Sequence, residues 1–490
     1  MTVFLLLASL NVASQDNYYW SEQYGTRASL LGGAATSGLG DVATLYYNPA
    51  AMSFVSKPSL SITVNAYQFK SVKLHNAAGD GLDLKNTQFS TFPNFIGGMV
   101  KFKKFPRFRV GYAMLAKNNF RSKFDILHQE DYELIDTAQG LERYIASYSL
   151  DYSINEYMGG WALSFKLSDT WSVGFANFGT YRSVKYANNI DVNIFPQTYS
   201  VSSIIYVGSQ VDFDYYTIKT VFKPSIALDA KNFKFGMAYT TPSIHIMGSG
   251  NVYRKVSLLN VEFSPGVFSS VSLVDNRRGV NVIHKENGAF AIGISWRFKK
   301  RAWLHFTHET FYGNNYYLLF DPENEVNAYP DAYFSPDTVY RWFGEQNYLA
   351  YGEQSINLTN FGLGFETKIG ERWELLLGIR TDVINSGSVS THVIGRIGTE
   401  GSKWWLLHYS LGFSRVSKKG KKVTVGLEYG MATSNNFYQF VNFTEPTTGK
   451  LYYLNIEKTA YASQYSFEIV IGIELHAAKG FTSEEIPVEP

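Results

Sequence analysis

Tyr465-Ser466-Phe467-Glu468-Ile469-Val470-Ile471-Gly472-Ile473-Glu474-Leu475 runs with a period of two. Tyr465, Phe467, Ile469, Ile471, Ile473 and Leu475 share one face. Ser466, Glu468, Gly472 and Glu474 share the other, with Val470 the exception. Successive side chains of a strand point to opposite faces, so this is a β-strand with one apolar and one mostly polar side. The rhythm recurs about fourteen times along the chain. Amphipathic strands repeated so often, with Trp and Phe on the apolar face, predict an all-β fold. Its form is a transmembrane antiparallel β-barrel of about 14 strands, with lipid outside and polar groups inside.

Composition supports a barrel over a set of soluble domains. Of 490 residues, 16% are aromatic, including 35 Tyr and 36 Phe, and only 18% are charged. Mean hydropathy is −0.14, and no apolar run reaches the roughly 18 residues of a membrane helix. A membrane barrel stays hidden in hydropathy because only alternate residues are apolar. The net charge of +2 excludes a general nucleic-acid binder, whose basic patch would tilt the balance. There are no cysteines, which excludes disulfides, thiolate metal sites, Cys nucleophiles and a lipidated Cys.

Four segments follow from the pattern. Residues 1–14 read as an export signal, with an apolar core from Val3 to Leu10 and small residues at Val12-Ala13-Ser14. Residues 15–57 are rich in Gly and Ala and form a compact N-terminal hatch. Residues 58–477 form the barrel, and 478–490 an acidic, Pro-containing tail.

Within the barrel the strands are read as Pro58–Lys70, Thr91–Lys103, Arg107–Asn118, Glu156–Leu167, Trp171–Lys185, Asp212–Leu228 and Asn232–Ile246. The second half holds Ala289–Lys299, Arg301–Tyr312, Gln354–Ile369, Arg372–Val383, Lys403–Ser417, Lys421–Thr433 and Ala460–Leu475. Short turns such as Lys104-Phe105-Pro106, Ser168-Asp169-Thr170 and Gly370-Glu371 alternate with long loops such as 248–288 and 313–353. That alternation fits a barrel with one rim in the periplasm and one outside, with both termini periplasmic. A hairpin hidden in 187–211 or 248–288 would change the count to 12 or 16. Trp171, Trp296, Phe298, Trp303, Trp373 and Phe413 lie near short turns and would form an aromatic girdle.

The stretch Arg27-Ala28-Ser29-Leu30-Leu31-Gly32-Gly33-Ala34, followed by Gly40-Asp41-Val42-Ala43-Thr44-Leu45-Tyr46-Tyr47-Asn48-Pro49-Ala50-Ala51-Met52-Ser53-Phe54, resembles the N-terminal segment of the FadL/TodX family of outer-membrane proteins. Phe92-Pro93-Asn94-Phe95 also looks like that family. The resemblance implies a 14-stranded barrel plugged by its hatch, with Gly32, Gly33, Gly38, Gly40, Asn48, Pro49, Ala50 and Phe54 at the gate. It implies passive uptake of a hydrophobic small molecule, fatty-acid-like or aromatic, released when the hatch or a kinked strand opens. The Gly-Gly-Ala hatch is also similar to that of PorV-type members, which serve protein secretion. Read from the residues, Asn48-Pro49-Ala50 is first a turn that anchors the plug and second a ligand contact.

The remaining constellations carry no catalysis. His305 and His308 have opposite parity, so they cannot share a metal ion on a regular strand. Gly362-Leu363-Gly364 is strand glycine and no phosphate loop, since no helix follows. Lys418-Lys419-Gly420-Lys421-Lys422 reads as a solvated turn that is also able to meet acidic partners or lipid head groups. Glu374, Arg380, Asp382, Glu428 and Glu468 are expected in lumenal ion networks around the hatch. The loop with Tyr316, Tyr317, Phe320, Tyr333, Phe334, Trp342 and Phe343 is too apolar for an idle surface, and is either a ligand lid or a protein interface. The expectation is a non-enzymatic channel in the outer membrane of a Gram-negative bacterium, without cofactor or metal. Its partners are membrane lipid and either a hydrophobic small molecule or envelope protein subunits. The alternative is an accessory subunit of a larger envelope complex.

Overall fold

The period-two stretches become one set of antiparallel ladders. The computed structural model describes residues 20–55, 59–135, 140–196, 204–264, 266–299, 301–323, 327–330, 348–383, 405–417, 421–433, 437–447, 451 and 458–476. The signal segment, the C-terminal tail and Tyr333, Phe334, Trp342 and Phe343 lie outside the described residues. The strands are β1 (Ser59–His75), β2 (Leu84–Lys101), β3 (Phe108–Tyr132), β4 (Glu142–Lys166), β5 (Trp171–Pro196), β6 (Ile205–Asp229), β7 (Phe233–Thr240), β8 (Ile244–Ser264), β9 (Val267–Asn281) and β10 (Ala289–Lys299). They continue with β11 (Ala302–Phe311), β12 (Tyr317–Phe320), β13 (Asn327–Pro330), β14 (Tyr351–Glu353), β15 (Leu358–Ile369), β16 (Trp373–Asp382), β17 (Leu406–Val416), β18 (Lys422–Thr433), β19 (Phe437–Tyr438) and β20 (Thr459–His476).

Neighbouring strands pair in sequence from β1 to β7, then β7 with β10, β10 with β11, and β11 with β15. Pairing continues through β16, β17, β18 and β20, and β20 closes on β1 from Ser59↔His476 to His75↔Tyr461. The closed barrel therefore has fourteen strands. The hairpin suspected in 248–288 exists as β8 and β9, but it lies outside the closure. β8 pairs with the upper half of β6, and β9 with β8. The stretch read as one strand, Asn232–Ile246, breaks after Thr240. Pro242 has no N–H to donate, and Ile244 begins β8.

β3, β4, β5 and β6 contain 25, 25, 26 and 25 residues, where a membrane crossing needs about 9–11. The surplus explains why the strands outrun their expected limits. The faces invert along them. On β4, Tyr157, Trp161 and Phe165 point outward and are exposed, with Met158, Ala162 and Ser164 inside. Past Glu156 the outer face carries Asn155, Ser153 and Asp151, while Ile154, Tyr152, Tyr148 and Tyr144 are buried inside. Lipid meets the lower half and water the upper half. Above the membrane the four long strands, with β8 and β9, form a crown around an apolar core. Phe213, Tyr186, Phe320 and Tyr351 pack in it at ring-centroid distances of 4.9–5.7 Å.

Trp171, Trp296, Phe298, Trp373 and Phe413 face outward near the short turns. Trp303 does not. It shares parity with the buried His305 and Thr307, so it points into the lumen. There Lys234 and Arg297 lie 5.6 and 5.4 Å from its ring centre.

Glycines on the inner wall decide what fits inside. A Cβ on Gly378 would strike the backbone of Leu31 and Gly32 and the Ser410 hydroxyl, whereas one on the outward-facing Gly179 would meet only Gly159 O at 3.8 Å. Gly378→Val is expected to lower unfolding stability in detergent by about 1–3 kcal/mol through overpacking. Gly179→Val is expected to stay within about 0.5 kcal/mol. Urea unfolding of the two variants side by side checks the pair, and equal losses would show that the inner wall has room to spare.

Candidate functional site

Residues 20–55 occupy the lumen, touching the wall on all sides. Two short helices, α1 (Thr26–Leu30) and α2 (Thr44–Tyr47), are followed by a 3-10 turn over Pro49–Phe54. Each helix is at most five residues, too short to be stable alone, so packing against the barrel holds them. Gly32 and Gly33 take φ of 61° and 71°, a region open to glycine, and turn the chain back after α1. Gly38 (φ 90°) sits against Ala51, while Gly40 (φ 80°) is exposed with nothing close to it.

Asn48 is fully buried and uses its whole amide. Its Nδ2 donates to Thr36 O at 2.8 Å and Ile226 O at 3.0 Å, and its Oδ1 accepts from Ala50 N at 3.1 Å. Ala50 N also donates to Ser225 Oγ at 2.9 Å, and Ala50 O accepts from Ser164 and Ser172 at 2.9 and 2.8 Å. Pro49 is buried beside them, and Phe54 packs on Ala50, Ala51 and Ala227. Asn48-Pro49-Ala50 thus pins the plug to β4, β5 and β6, as an anchoring turn would.

A second anchor lies opposite. Arg380 is buried and forms a bidentate pair with Glu428, with its Nη1 2.6 Å from Oε2. The same guanidinium donates to Trp20 O at 3.0 Å and Ser21 O at 2.9 Å. Asp382 accepts from Trp20 N at 3.1 Å and Ser21 Oγ at 2.7 Å. Glu374 pairs with Lys422 at 2.6 Å, and Glu366 with Arg27 of the plug. Thr26 donates its N–H to Thr63 Oγ1 at 3.1 Å and lies against Gly472. His305 faces inward, 2.6 Å from Ser295 Oγ, while His308 stacks outward on Phe361. The two therefore share no ion, and among the described residues no group of three metal-ligating side chains occurs.

Of the aromatic loop, Tyr317 and Phe320 lie in β12, which pairs with β14 inside the crown. Tyr317 donates to Glu353 at 2.9 Å, Phe320 is buried, and Tyr316 is exposed beside Gly352.

One group escaped sequence reasoning. Glu156 is held by Lys219 at 3.1 Å, Arg182 at 3.2 Å and Lys117 at 3.5 Å. Glu286, from the segment joining β9 to β10, reaches into the same cluster, 2.7 Å from Lys219 and paired with Lys117. Beneath the cluster Tyr24, Val42, Leu45 and Met52 of the plug pack against Phe95, Leu115, Met158 and Phe178 of the wall. The wall beside them is incomplete. The β2–β3 ladder ends at Phe95↔Leu115, although β1–β2 pairing continues to Leu74↔Leu84 and β3–β4 to Tyr132↔Glu142. Pro93 supplies no N–H at the point where the ladder stops, and Asn94 turns inward to donate to Gln23 O at 3.0 Å. The signal for the cluster was the parity of Glu156, Arg182 and Lys219 on otherwise apolar inner faces.

Arg380→Met leaves Glu428 buried without its guanidinium, with His408 Nδ1 2.9 Å away, and is expected to cost about 3–5 kcal/mol of unfolding stability. Arg380→Met/Glu428→Leu is expected to recover most of that. Both variants lose the donors to Trp20 and Ser21, so protease should cut the plug faster in both. Failure of the double variant to recover stability would show that the loss comes from packing and not from the unpaired carboxylate. Asp41, in the plug, is pushed up from its ordinary 3.8 to about 6, by burial and then by the Glu474 carboxylate. A raised acid favours the folded state fully below pH 4, and that contribution fades as pH rises through about 6. Asp41→Asn removes the dependence. Between pH 4 and 8 the parent is expected to lose up to about 3 kcal/mol more stability than the variant. Parallel stability curves would refute the assignment.

Comparison with family models and with curated proteins returns no match. Solved structures do match. The crystal structure of a Pseudomonas aeruginosa FadL homologue aligns over 94% of this chain and 100% of its own, with TM-score 0.55 and 12% identity. The P. putida toluene transporter TodX aligns over 93% and 99%, with TM-score 0.52 and 11% identity. At such identities the likeness is one of fold. The chain has the fold of the FadL-type outer-membrane channels, a fourteen-stranded barrel with its N-terminal segment held in the lumen.

Proposed function

We propose that this chain is an outer-membrane channel for passive uptake of a hydrophobic small molecule, with the N-terminal plug as its gate. The observation that carries this is the seam above Phe95↔Leu115, because it lies beside the apolar contact between plug and wall, which would part if the plug moved. Outside it, Tyr67 and Phe89 are 55% and 64% exposed with rings 5.7 Å apart, surfaces suited to lipid. A greasy molecule arriving from the crown would leave sideways through the seam into the bilayer, never passing the plug anchors. Burial of its apolar surface drives each step, so no energy source is required. The Glu286 segment must withdraw from Lys117 and Lys219 for a path to open from above. TodX is a toluene transporter, and the same chemistry, an apolar ligand without charge, suits the side chains along this path.

A second reading has its own observation. The crown rises far above the membrane with a polar outer face and a filled interior, which favours an accessory role in a multi-protein envelope complex.

Leu115→Trp, at the last β2–β3 pair, puts a larger side chain at the foot of the seam. In liposomes, entry of a fluorescent fatty-acid or aromatic hydrocarbon probe is expected to fall several-fold in this variant. Probe entry equal to the parent's would remove the lateral route. No entry above empty liposomes by the parent would favour the accessory role.

A further inference from the structure

The short-turn rim carries a built groove on its lipid face. Three rows of side chains face outward across β16, β17 and β18: Trp373–Arg415–Val423, then Leu375–Phe413–Val425, then Leu377–Leu411–Leu427. Of these, Trp373, Leu411, Phe413, Arg415, Val423, Val425 and Leu427 border an open surface cavity of about 1050 Å³ whose rim also includes Arg372 and Lys421. That exceeds the roughly 300–1,000 Å³ usual for a drug-sized ligand. The second and third rows are wholly apolar. The first places an arginine among apolar neighbours on a surface that meets lipid.

An outward arginine costs roughly 2–4 kcal/mol at the bilayer midplane and about 0–1 at the interface. Its seat beside a turn puts it at the interface. Arg415 lies 5.3 Å from the Trp373 ring centre, a cation–π contact that orients the guanidinium without neutralising it. Among the described residues Arg372, Arg415 and Lys421 make no ion pair, while the inward Lys422 is paired with Glu374. Three cations thus surround the mouth of an apolar trough. The complementary molecule has an anionic head and acyl chains. Other short turns are also basic, among them Lys101 to Arg107 and Arg297 to Arg301, but the cavity distinguishes this one.

We propose that the β16–β18 groove binds one anionic glycerophospholipid of the inner leaflet, its phosphate held by Arg372, Arg415 and Lys421 and an acyl chain lying on Phe413, Leu411 and Val425. The site depends on the barrel's place in a membrane and not on transport. A chain that takes up no hydrophobic probe would keep it.

Native mass spectrometry of the full chain in mild detergent tests this, with phosphatidylglycerol and phosphatidylethanolamine of the same acyl chains added separately. Phosphatidylglycerol is expected to bind about ten-fold more tightly or better, given roughly five-fold per cation near an anionic head. Arg372→Gln/Arg415→Gln/Lys421→Gln should abolish the preference. Val425→Trp, which fills the trough and keeps every charge, should weaken binding of both lipids. Lys101→Gln/Lys103→Gln at another turn should change neither. Heat-modifiable migration on gels verifies that each variant is folded. Equal binding of the two lipids by the parent, or equal loss in the Lys101/Lys103 variant, would overturn the proposal.

Discussion

Close approach of the plug backbone to the barrel wall is the constraint on which the rest of the structure depends. A Cβ on Gly174 would strike Ala50, one on Gly236 or Gly293 would strike Thr36, and one on Gly412 or Gly426 would strike Leu30. Strand glycines are ordinarily a weakness, because they pack nothing and are floppy when unfolded. Here each makes room for the plug, for its backbone at Gly174, Gly236 and Gly293 and for the Leu30 side chain at Gly412 and Gly426. The lumen is therefore a packed interior, and the polar groups in it are fixed partners of the plug. Arg380 and Asp382 bond backbone atoms of Trp20 and Ser21, and Asn48 of the plug bonds Thr36 O within it and Ile226 O in the wall. Buried charges of this kind contribute little net stability but make the wrong arrangement expensive.

The second organising fact is that a single strand serves two solvents. β4, β5 and β6 present aromatic side chains outward at the level of lipid and inward above it. The inversion needs no break in the ladder, only a change in which residues occupy odd and even positions. It leaves a dry crown core stacked on the plugged lumen, with the Glu156–Lys219–Glu286 cluster between them. Charges at that level are held by one another, since neither apolar layer offers a partner.

Much of the barrel was legible because alternation is a local property. Tyr465 to Leu475 and Trp373 to Asp382 declare their faces residue by residue, and all fourteen wall strands were recognisable. The long strands were truncated in that reading for a physical reason. Above Glu156 the apolar parity changes sides, so a search for one constant lipid face loses the strand there. Trp303 was assigned to lipid from its closeness to a turn, whereas its parity with His305 places it in the lumen. Arg380, Glu428 and Asp382 could be placed inside from parity alone, but their partners in the plug could not, since Trp20 and Arg380 are far apart in sequence. The Glu156 cluster draws on β3, β4, β5, β6 and a connecting segment. No local pattern foretells such a meeting. The ladder end at Phe95 was half visible in Phe92-Pro93-Asn94-Phe95, because proline announces a missing donor without saying which neighbour loses it.

Thr26 touches both edges of the barrel's closure, bonding Thr63 on β1 and lying against Gly472 on β20. To close the barrel β20 must find β1 across all the strands between them, a pairing of very high sequence separation and hence slow. The plug joins directly to β1, so it is already at that edge when β20 arrives. Threading it into a finished cylinder would mean carrying Arg27 and Asp41 past an assembled wall. Zipping the cylinder around it avoids that passage. Closure of the barrel is then a wrapping event, in which the cargo inside the cylinder is residues 20–55 and β20 supplies the final stave.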